Sequence, residues 1–288
     1  CMDKFVSQMK TKREEIVKEK KEKLNWHYKQ AVLQAQDTEK LLKTLSRRVV
    51  DVTEISRSND LFFGPKKMQL TMKELLPDLD TKTLFSLNWR YGGKASWEKK
   101  GTSSDQLMEQ LQLWSSRCDE NAWLIPQAAF GIFPCQAADD EMIVYDPKDL
   151  SRELTRFSFS VIIGSDKKDI FSAAQFFKSQ SSGEFDAIGL QVTTGGKQVD
   201  QQIQKFKDQG DSESALLLQG LSDRVAEDMA DQIHQHLRKN IAASEKQGTR
   251  YSPGYPGLKD IEVNRKLAEL LDVGELIDVS LTGAFEFD

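Results

Sequence analysis

The sequence predicts an α+β domain built on a largely antiparallel sheet and preceded by a polar linker helix. Three observations carry that expectation. Helical and strand-like segments are grouped along the chain instead of alternating, which argues against a parallel βαβ sheet. Apolar segments between residues 128 and 196 read as strands bounded by turn signals. The first 50 residues are denser in charge than the rest and hold little that could enter a core.

Taken in order, residues 3 to 35 read as one helix, with no Pro or Gly and many Lys, Glu and Gln. Its apolar positions Phe5, Met9, Ile16 and Val17 are too sparse to make a core, so it bridges or lies on something else. The basic stretch from Lys10 to Lys23 is interleaved with glutamates, which favours a solvated linker over a nucleic-acid contact. Residues 36 to 60 are a transition in which "VVDVTEI" is a candidate short strand. "FFGPKK" at 62 to 67 reads as a turn, and the domain boundary is set just before it: linker and transition 1–59, folded domain 60–288.

"TMKELLPDLDTKTLFSLNWRYGG" gives two short helical pieces. Pro77 ends the first; "DTKT" caps the second, which carries Leu84, Phe85, Leu87 and Trp89 and closes at Gly92 and Gly93. Residues 104 to 123 form an amphipathic helix with Leu107, Leu111 and Trp114 on one stripe. "AAFGIFPCQA" and "EMIVY" flank "ADDE" as a hairpin turning at Asp139 and Asp140. "ELTRFSFSVII" is a third strand, with Leu154, Phe157 and Phe159, and "FDAIGLQVTTGG" a fourth, ending at Gly195 and Gly196. A short helix starts at 197, a long one spans 211 to 240, and the loop "RYSPGYPG" follows. "IEVNRKLAELLDV" is then a helix burying Leu267, Leu270 and Leu271, and "IDVSLTGAFEF" a final strand.

Composition excludes several functions. A net charge of -5 gives no electrostatic footprint for nucleic acid. No apolar run reaches about 18 residues, so no membrane span is expected. The charged N-terminus lacks the apolar region of a secretory signal, so a cytoplasmic protein is expected. Cys1, Cys118 and Cys135 have no metal spacing and suit a reducing compartment. Cys1 stands before Met2, which suggests a piece of a longer chain or an expression scar. His234 and His236 point about 200° apart on a helix and do not share a metal, so zinc is not expected. No nucleophile triad, GxGxxG or phosphate-binding loop can be assembled. No catalytic residue and no metal ligand is assigned.

Two stretches offer binding chemistry. On the long helix Leu218, Leu221, Val225, Met229 and Ile233 form a core stripe, while Asp223, Glu227, Asp231, His234 and Arg238 stack on another face. Exposed carboxylates so stacked repel by a few tenths of a kcal/mol per pair. Spacing alone favours a solvated face trimmed by Arg224 and Arg238 over a carboxylate meeting a cationic ligand at a groove edge. In "GTRYSPGYPG", Pro253 and Pro256 fix φ, Pro253 extends Ser252, and Gly254 allows positive φ. Arg250 supplies a planar fork for a carboxylate or phosphate, and Tyr251 and Tyr255 offer flat surfaces for a ring. A site for a small zwitterion carrying a heterocycle stands level here with a rigid packing loop.

At this loop a family resemblance enters. "RYSPGYP" resembles the RxxPGYP signature of the S-adenosylmethionine-binding activation domain of cobalamin-dependent methionine synthase. In the same order, "LPDLDTKTLFSLNW", "FGIFPCQAADDEMIVY", "FDAIGLQVTTGG" and "LSDRVAEDMADQIHQHLRK" resemble that family's other motifs, with Cys135 where alanine is usual. The likeness covers about residues 60 to 288, and loosely the linker. It implies a C-shaped single domain with a twisted antiparallel sheet flanked by helices. It implies binding of S-adenosylmethionine for reductive methylation of cob(II)alamin to methylcobalamin. The cobalamin would be presented by a separate domain of the same or a partner chain, the electron would come from a flavodoxin-type donor, and the chain would be a monomer. Such a chain is the reactivation module of a methyltransferase and not a complete enzyme. Its part is positioning more than acid–base chemistry. By position, Arg250 would hold the ligand carboxylate, and Glu227 and Asp80 its amino group or other polar atoms. The backbone of Tyr251, Ser252 and Gly254 would meet adenine and ribose, and Tyr255 would close the loop; Asp223 and Asp231 would be structural. Two departures stand beside this. The sequence ends at "LTGAFEFD" where the family continues to a P-x-S-x-x-G segment and a tyrosine pair, which implies weaker ligand binding or a different natural end. The cobalamin motif D-x-H-x-x-G is absent, so the chain alone is not expected to hold the corrin tightly. A reactivator of another corrinoid methyltransferase, and a non-catalytic interaction domain of the same fold, are the alternatives.

Overall fold

The computed structural model describes residues 37–50, 52, 61–93, 101–241 and 248–287. The helix expected over 3–35, with His27 and the Lys10–Lys23 stretch, lies outside them, as does most of "VVDVTEI". Of that segment, Val49, Val50 and Val52 are not in a strand, and Val49 is fully exposed. The described residues form two compact units. One joins residues 37–50 to Val161–Ser172; the other falls within Asp51–Ser160 and Ala173–Asp288.

In the first unit a helix over residues 37 to 44 (α1) leads into β1 (Ser46–Arg47). β1 pairs in parallel with β7 (Asp169–Phe171), and β6 (Ile162–Ile163) lies antiparallel on the other edge of β7. Arg48 ties the unit across its sequence gap. Its Nε and one terminal nitrogen donate to the two Asp169 carboxylate oxygens at 2.7 and 2.8 Å, and its guanidinium lies over the Phe171 ring. Such a bidentate fork is what an arginine offers and a lysine cannot.

The second unit is built on a five-stranded antiparallel sheet. Its central strand is β3 (Gln127–Ala138). One edge of β3 pairs with β8 (Asp186–Thr194); the other is shared between β2 (Phe63–Gln69) and β4 (Glu141–Asp146), and β5 (Asp149–Ser158) completes the order beyond β4. The β3–β4 hairpin turns at Asp139 and Asp140 as the sequence suggests, with Asp139 at φ 54°. Around the sheet lie α2 (Met72–Leu75), the short α3 (Thr81–Thr83) running on into a wide turn Leu84–Asn88, α4 (Ser104–Asn121), α5 (Gln198–Asp208), α6 (Ser212–Asn240), α7 (Val263–Leu271) and α8 (Val273–Ile277). α4 opens on a capping box in which the Ser103 hydroxyl accepts from Gln106 N–H and the Gln106 side chain accepts from Ser103 N–H.

The two-residue period of β3 decides what covers each face. Ala128, Phe130 and Ile132 are buried against Met229, Ile233 and Leu237 of α6. Ala129, Phe133 and Cys135 point the other way, into a core completed by Leu267 and Leu271 of α7 and Val273 and Ile277 of α8. A third core lies among the helices, where Leu218, Leu221 and Val225 of α6 meet Leu107, Leu111 and Trp114 of α4. Each buried Leu, Ile or Met contributes roughly 1.5–3 kcal/mol on transfer from water. α6 thus belongs to two cores: its first half packs on helices, its second half on the sheet.

Four expectations need correction. "FFGPKK" is not a turn but mostly strand β2. Pro65 is tolerated because β2 is an edge strand, and the Gly–Pro pair sits where the register slips between Phe63 and Lys66. The third strand stops at Ser158; Phe159 N–H turns to Asp140 O and Ser160 N–H to Gly257 O, while Ile162 and Ile163 serve the other unit. The final strand expected over 277–287 does not form: Ile277 ends helix α8, and the chain after it makes a tight turn closed by one antiparallel bridge between Leu281 and Phe287. Val273 and Ile277 are buried four residues apart, a helical spacing, and the Thr282 hydroxyl accepts from Ala284 and Glu286 N–H to bend the chain. Leu87, counted in the apolar stripe before Trp89, is 71% exposed. The chain there widens into a π-helical turn, in which Trp89 N–H reaches back five residues to Leu84 O, and this rotates Leu87 off the packed face.

Candidate functional site

The candidate site is organised by α6 where it passes from the helical core to the sheet, between Val225 and Met229. Consecutive helical residues diverge by about 100°. Glu227 and Asp228 therefore open two adjacent faces, and each face holds a different segment of chain.

The first face holds the loop after α6. Arg250, half-buried, donates to Glu227 Oε2 at 3.1 Å and pairs with Asp231 Oδ1 at 3.3 Å. His234 sits on the same face, against the backbone of Gly248 and near Arg238. Its pKa is lowered from the ordinary 6.5, first by burial and then by the positive charges of Arg238 and Arg250. The loop is shaped by its own backbone. Gly254, at φ 90°, donates its N–H to Leu258 O at 2.7 Å, and Leu258 N–H returns to Tyr255 O at 2.9 Å. Gly257 anchors the loop to the segment just after β5 by accepting from Ser160 N–H at 2.9 Å. A side chain at Gly257 would lie 2.4 Å from the Tyr251 hydroxyl, so the Tyr251 ring rests against bare backbone there. Tyr251 is 42% and Tyr255 63% exposed; Ser252 and Gly254 are exposed as well.

The second face holds the segment before α3. Asp228 is buried, and its Oδ2 accepts from the backbone N–H of Asp80 at 2.9 Å. Its Oδ1 pairs with Arg224 of the preceding turn at 2.7 Å. One turn on, Gln232 Nε2 donates to Asp78 Oδ2 at 3.0 Å. Asp80 caps α3: its Oδ1 accepts from Thr83 N–H at 3.0 Å, while the carboxylate stays exposed. Bonds from Thr83 side chain and backbone hold its pKa below the usual carboxylate value. Burial pushes the Asp228 carboxyl up, against the pull of the Asp80 amide and Arg224.

The structure thus pairs Arg250 with Glu227 directly and sets Asp80 on the neighbouring face of the same helix. Tyr251, Ser252, Gly254 and Tyr255 follow Arg250 in the loop. Asp231, expected to be structural, is a second partner of Arg250. Asp223 stays apart, accepting from Gln219 Nε2 at 3.0 Å on an exposed surface. Sequence reasoning passed over Asp228 and Gln232 and read Arg224 as a solvated trimming charge. The spacing of Arg224 and Asp228 by four residues was a usable signal for the pair. Cys118 and Cys135 are buried, and burial raises the Cys118 thiol to about 12, so it offers no thiolate. Among the described residues no group of three His, Cys, Asp or Glu converges in a metal-binding cluster, and no helix is long and apolar enough to cross a membrane.

A long helix that presents carboxylates to an arginine carried on a Pro/Gly loop, above an antiparallel sheet, defines an α+β domain with a polar candidate site on one helix. Residues 71–287 match the family model described as "Vitamin B12 dependent methionine synthase, activation domain". The chain belongs to this family. The fold is also that of a solved structure, the crystal structure of the MetH reactivation domain bound to AdoHcy. The two share 20% identity and a TM-score of 0.66, over 78% of this chain and 75% of that one.

Proposed function

We propose that this activation domain binds S-adenosylmethionine and positions it for reductive methylation of cob(II)alamin carried by a separate domain of the same or a partner chain. The cobalamin supplies the methyl acceptor, and a flavodoxin-type donor supplies the electron. The domain that does this spans residues 60–288, after a linker over 1–59. The observation that carries the reading is the guanidinium of Arg250 held between two exposed carboxylates, Glu227 and Asp231.

That arrangement suits the amino-acid end of the ligand. A zwitterion brings one carboxylate and one ammonium. The ligand carboxylate takes the fork of Arg250, and Glu227, released from it, turns to the ammonium. Every charge keeps a partner through the exchange, so binding leaves no charge buried and unpaired. Asp80, whose carboxylate is held in its charged form, adds a second acceptor on the adjacent face. The Tyr251, Ser252 and Gly254 backbone is offered to adenine and ribose, and Tyr255 closes over them. Membership of the family and the AdoHcy carried by the MetH reactivation domain support this assignment. The site contributes orientation, not proton transfer, which agrees with the lack of an assembled triad.

Calorimetry with S-adenosylmethionine up to millimolar concentration tests the proposal. A saturable heat with one ligand per folded chain is expected. Folded protein that gives no heat at that concentration would overturn it in favour of a domain that kept the fold and lost the ligand.

A further inference from the structure

We infer that Asp228 is a positioning residue for ligand binding, acting through Asp80; this rests on the reading of Asp80 as a ligand contact. Asp228 is the one carboxylate on this stretch of α6 that is buried, at 5% exposure, while Glu227 and Asp231 beside it face solvent. Both of its oxygens are used. Oδ1 takes Arg224, 2.7 Å away and itself only 13% exposed in its side chain; Oδ2 takes the Asp80 backbone N–H at 2.9 Å. The second bond spans 148 residues of sequence, so it is a tertiary clamp and not a local cap. Gln232 adds a parallel tie to Asp78, one turn along.

The clamp acts on the backbone of Asp80, not on its carboxylate. The carboxylate is left to cap Thr83 and to face outward, where a ligand ammonium meets it. The N–H of Asp80 lies at the start of α3, where no intrahelical acceptor exists for it. Asp228 supplies that acceptor from another element and so fixes the distance from Asp80 to α6. Glu227 is the next residue on the same helix. The separation of the two ligand-facing carboxylates, Asp80 and Glu227, is therefore set by one buried side chain between them. Misplacement of a binding group by an ångström costs affinity even when the group itself is intact.

The test is a double-mutant cycle on S-adenosylmethionine affinity, with amide exchange at Asp80 read by NMR in the same proteins. Asp228→Ala removes both acceptors; Asp228→Asn keeps one oxygen for two donors and is the milder change if the alanine variant does not fold. Affinity should fall about threefold for Asn and about tenfold for Ala, as expected when a buried donor loses its acceptor. In an Asp80→Ala background neither change should weaken binding further, because the route runs through Asp80. The Asp80 amide should exchange faster in both variants, measured relative to amides of the sheet. Equal losses of affinity with and without Asp80, or an Asp80 amide as protected as in the wild type, overturn the inference. If the wild type binds no S-adenosylmethionine, the functional proposal falls on its own, and the amide readout still decides whether Asp228 holds Asp80.

Discussion

Two arginine–carboxylate pairs sit one face apart on α6 and differ in their access to water. Arg224 and Asp228 have side-chain exposures of 13% and 6%; Arg250 and Glu227 have 32% and 61%. A buried pair is costly to break, because the abandoned charge has no solvent to turn to. An exposed pair contributes within about 1 kcal/mol and exchanges partners freely. The same chemistry therefore does two jobs. The buried pair fixes where the chain runs, and the exposed pair remains available to a ligand with charges of its own.

The largest expected effect lies on the buried side. Asp228→Ala strands Arg224 and the Asp80 amide together, and should cost on the order of 3 kcal/mol of stability. Chemical denaturation measures it directly. A loss below about 1 kcal/mol would place Asp228 among ordinary surface pairs and erase the contrast between the two faces.

A smaller effect concerns pH on the exposed side. His234 faces Arg238, Arg250, Asp231 and the Gly248 backbone, and its pKa is lowered in the folded protein. The unfolded chain then takes up a proton near pH 6.5 while the folded chain does not. Stability from this group is complete above pH 6.5 and falls as the pH drops from there towards the lowered value. His234→Gln should flatten that slope in melting temperatures taken between pH 7.5 and 5.5. A variant with the slope of the wild type would show that the histidine is not held neutral by this face.

Much of this arrangement was legible in the sequence. The long helix is at 212–240 against an expected 211–240, because its apolar stripe and charged column both keep helical spacing. The loop was legible from Pro253, Gly254 and Pro256, which restrict the backbone whatever surrounds it. Asp228 was not, because a carboxylate one residue from a charged column reads as surface, and only the arrival of Asp80 from 148 residues away buries it. β2 was hidden for a related reason: Gly64 and Pro65 signal a turn locally, and an edge strand with a register slip absorbs both. The C-terminal stretch misled because Ile277, Val279 and Leu281 alternate like a strand, while Ile277 closes α8 and the chain after it pairs only through the Leu281–Phe287 bridge around the turn at Thr282. For Asp228 and β2 a tertiary partner outweighed a correct local signal.

On the proposed function, Arg250 serves the ligand and Arg224 the fold. The direct measurement is S-adenosylmethionine affinity of Arg250→Ala beside its melting temperature without ligand. Binding should weaken by roughly ten- to a hundredfold, the worth of a charge-assisted pair of about 1.5–3 kcal/mol, at a nearly unchanged melting temperature. Unchanged affinity per folded molecule with a sharply lowered melting temperature would contradict it and make Arg250 a structural tie between the loop and α6.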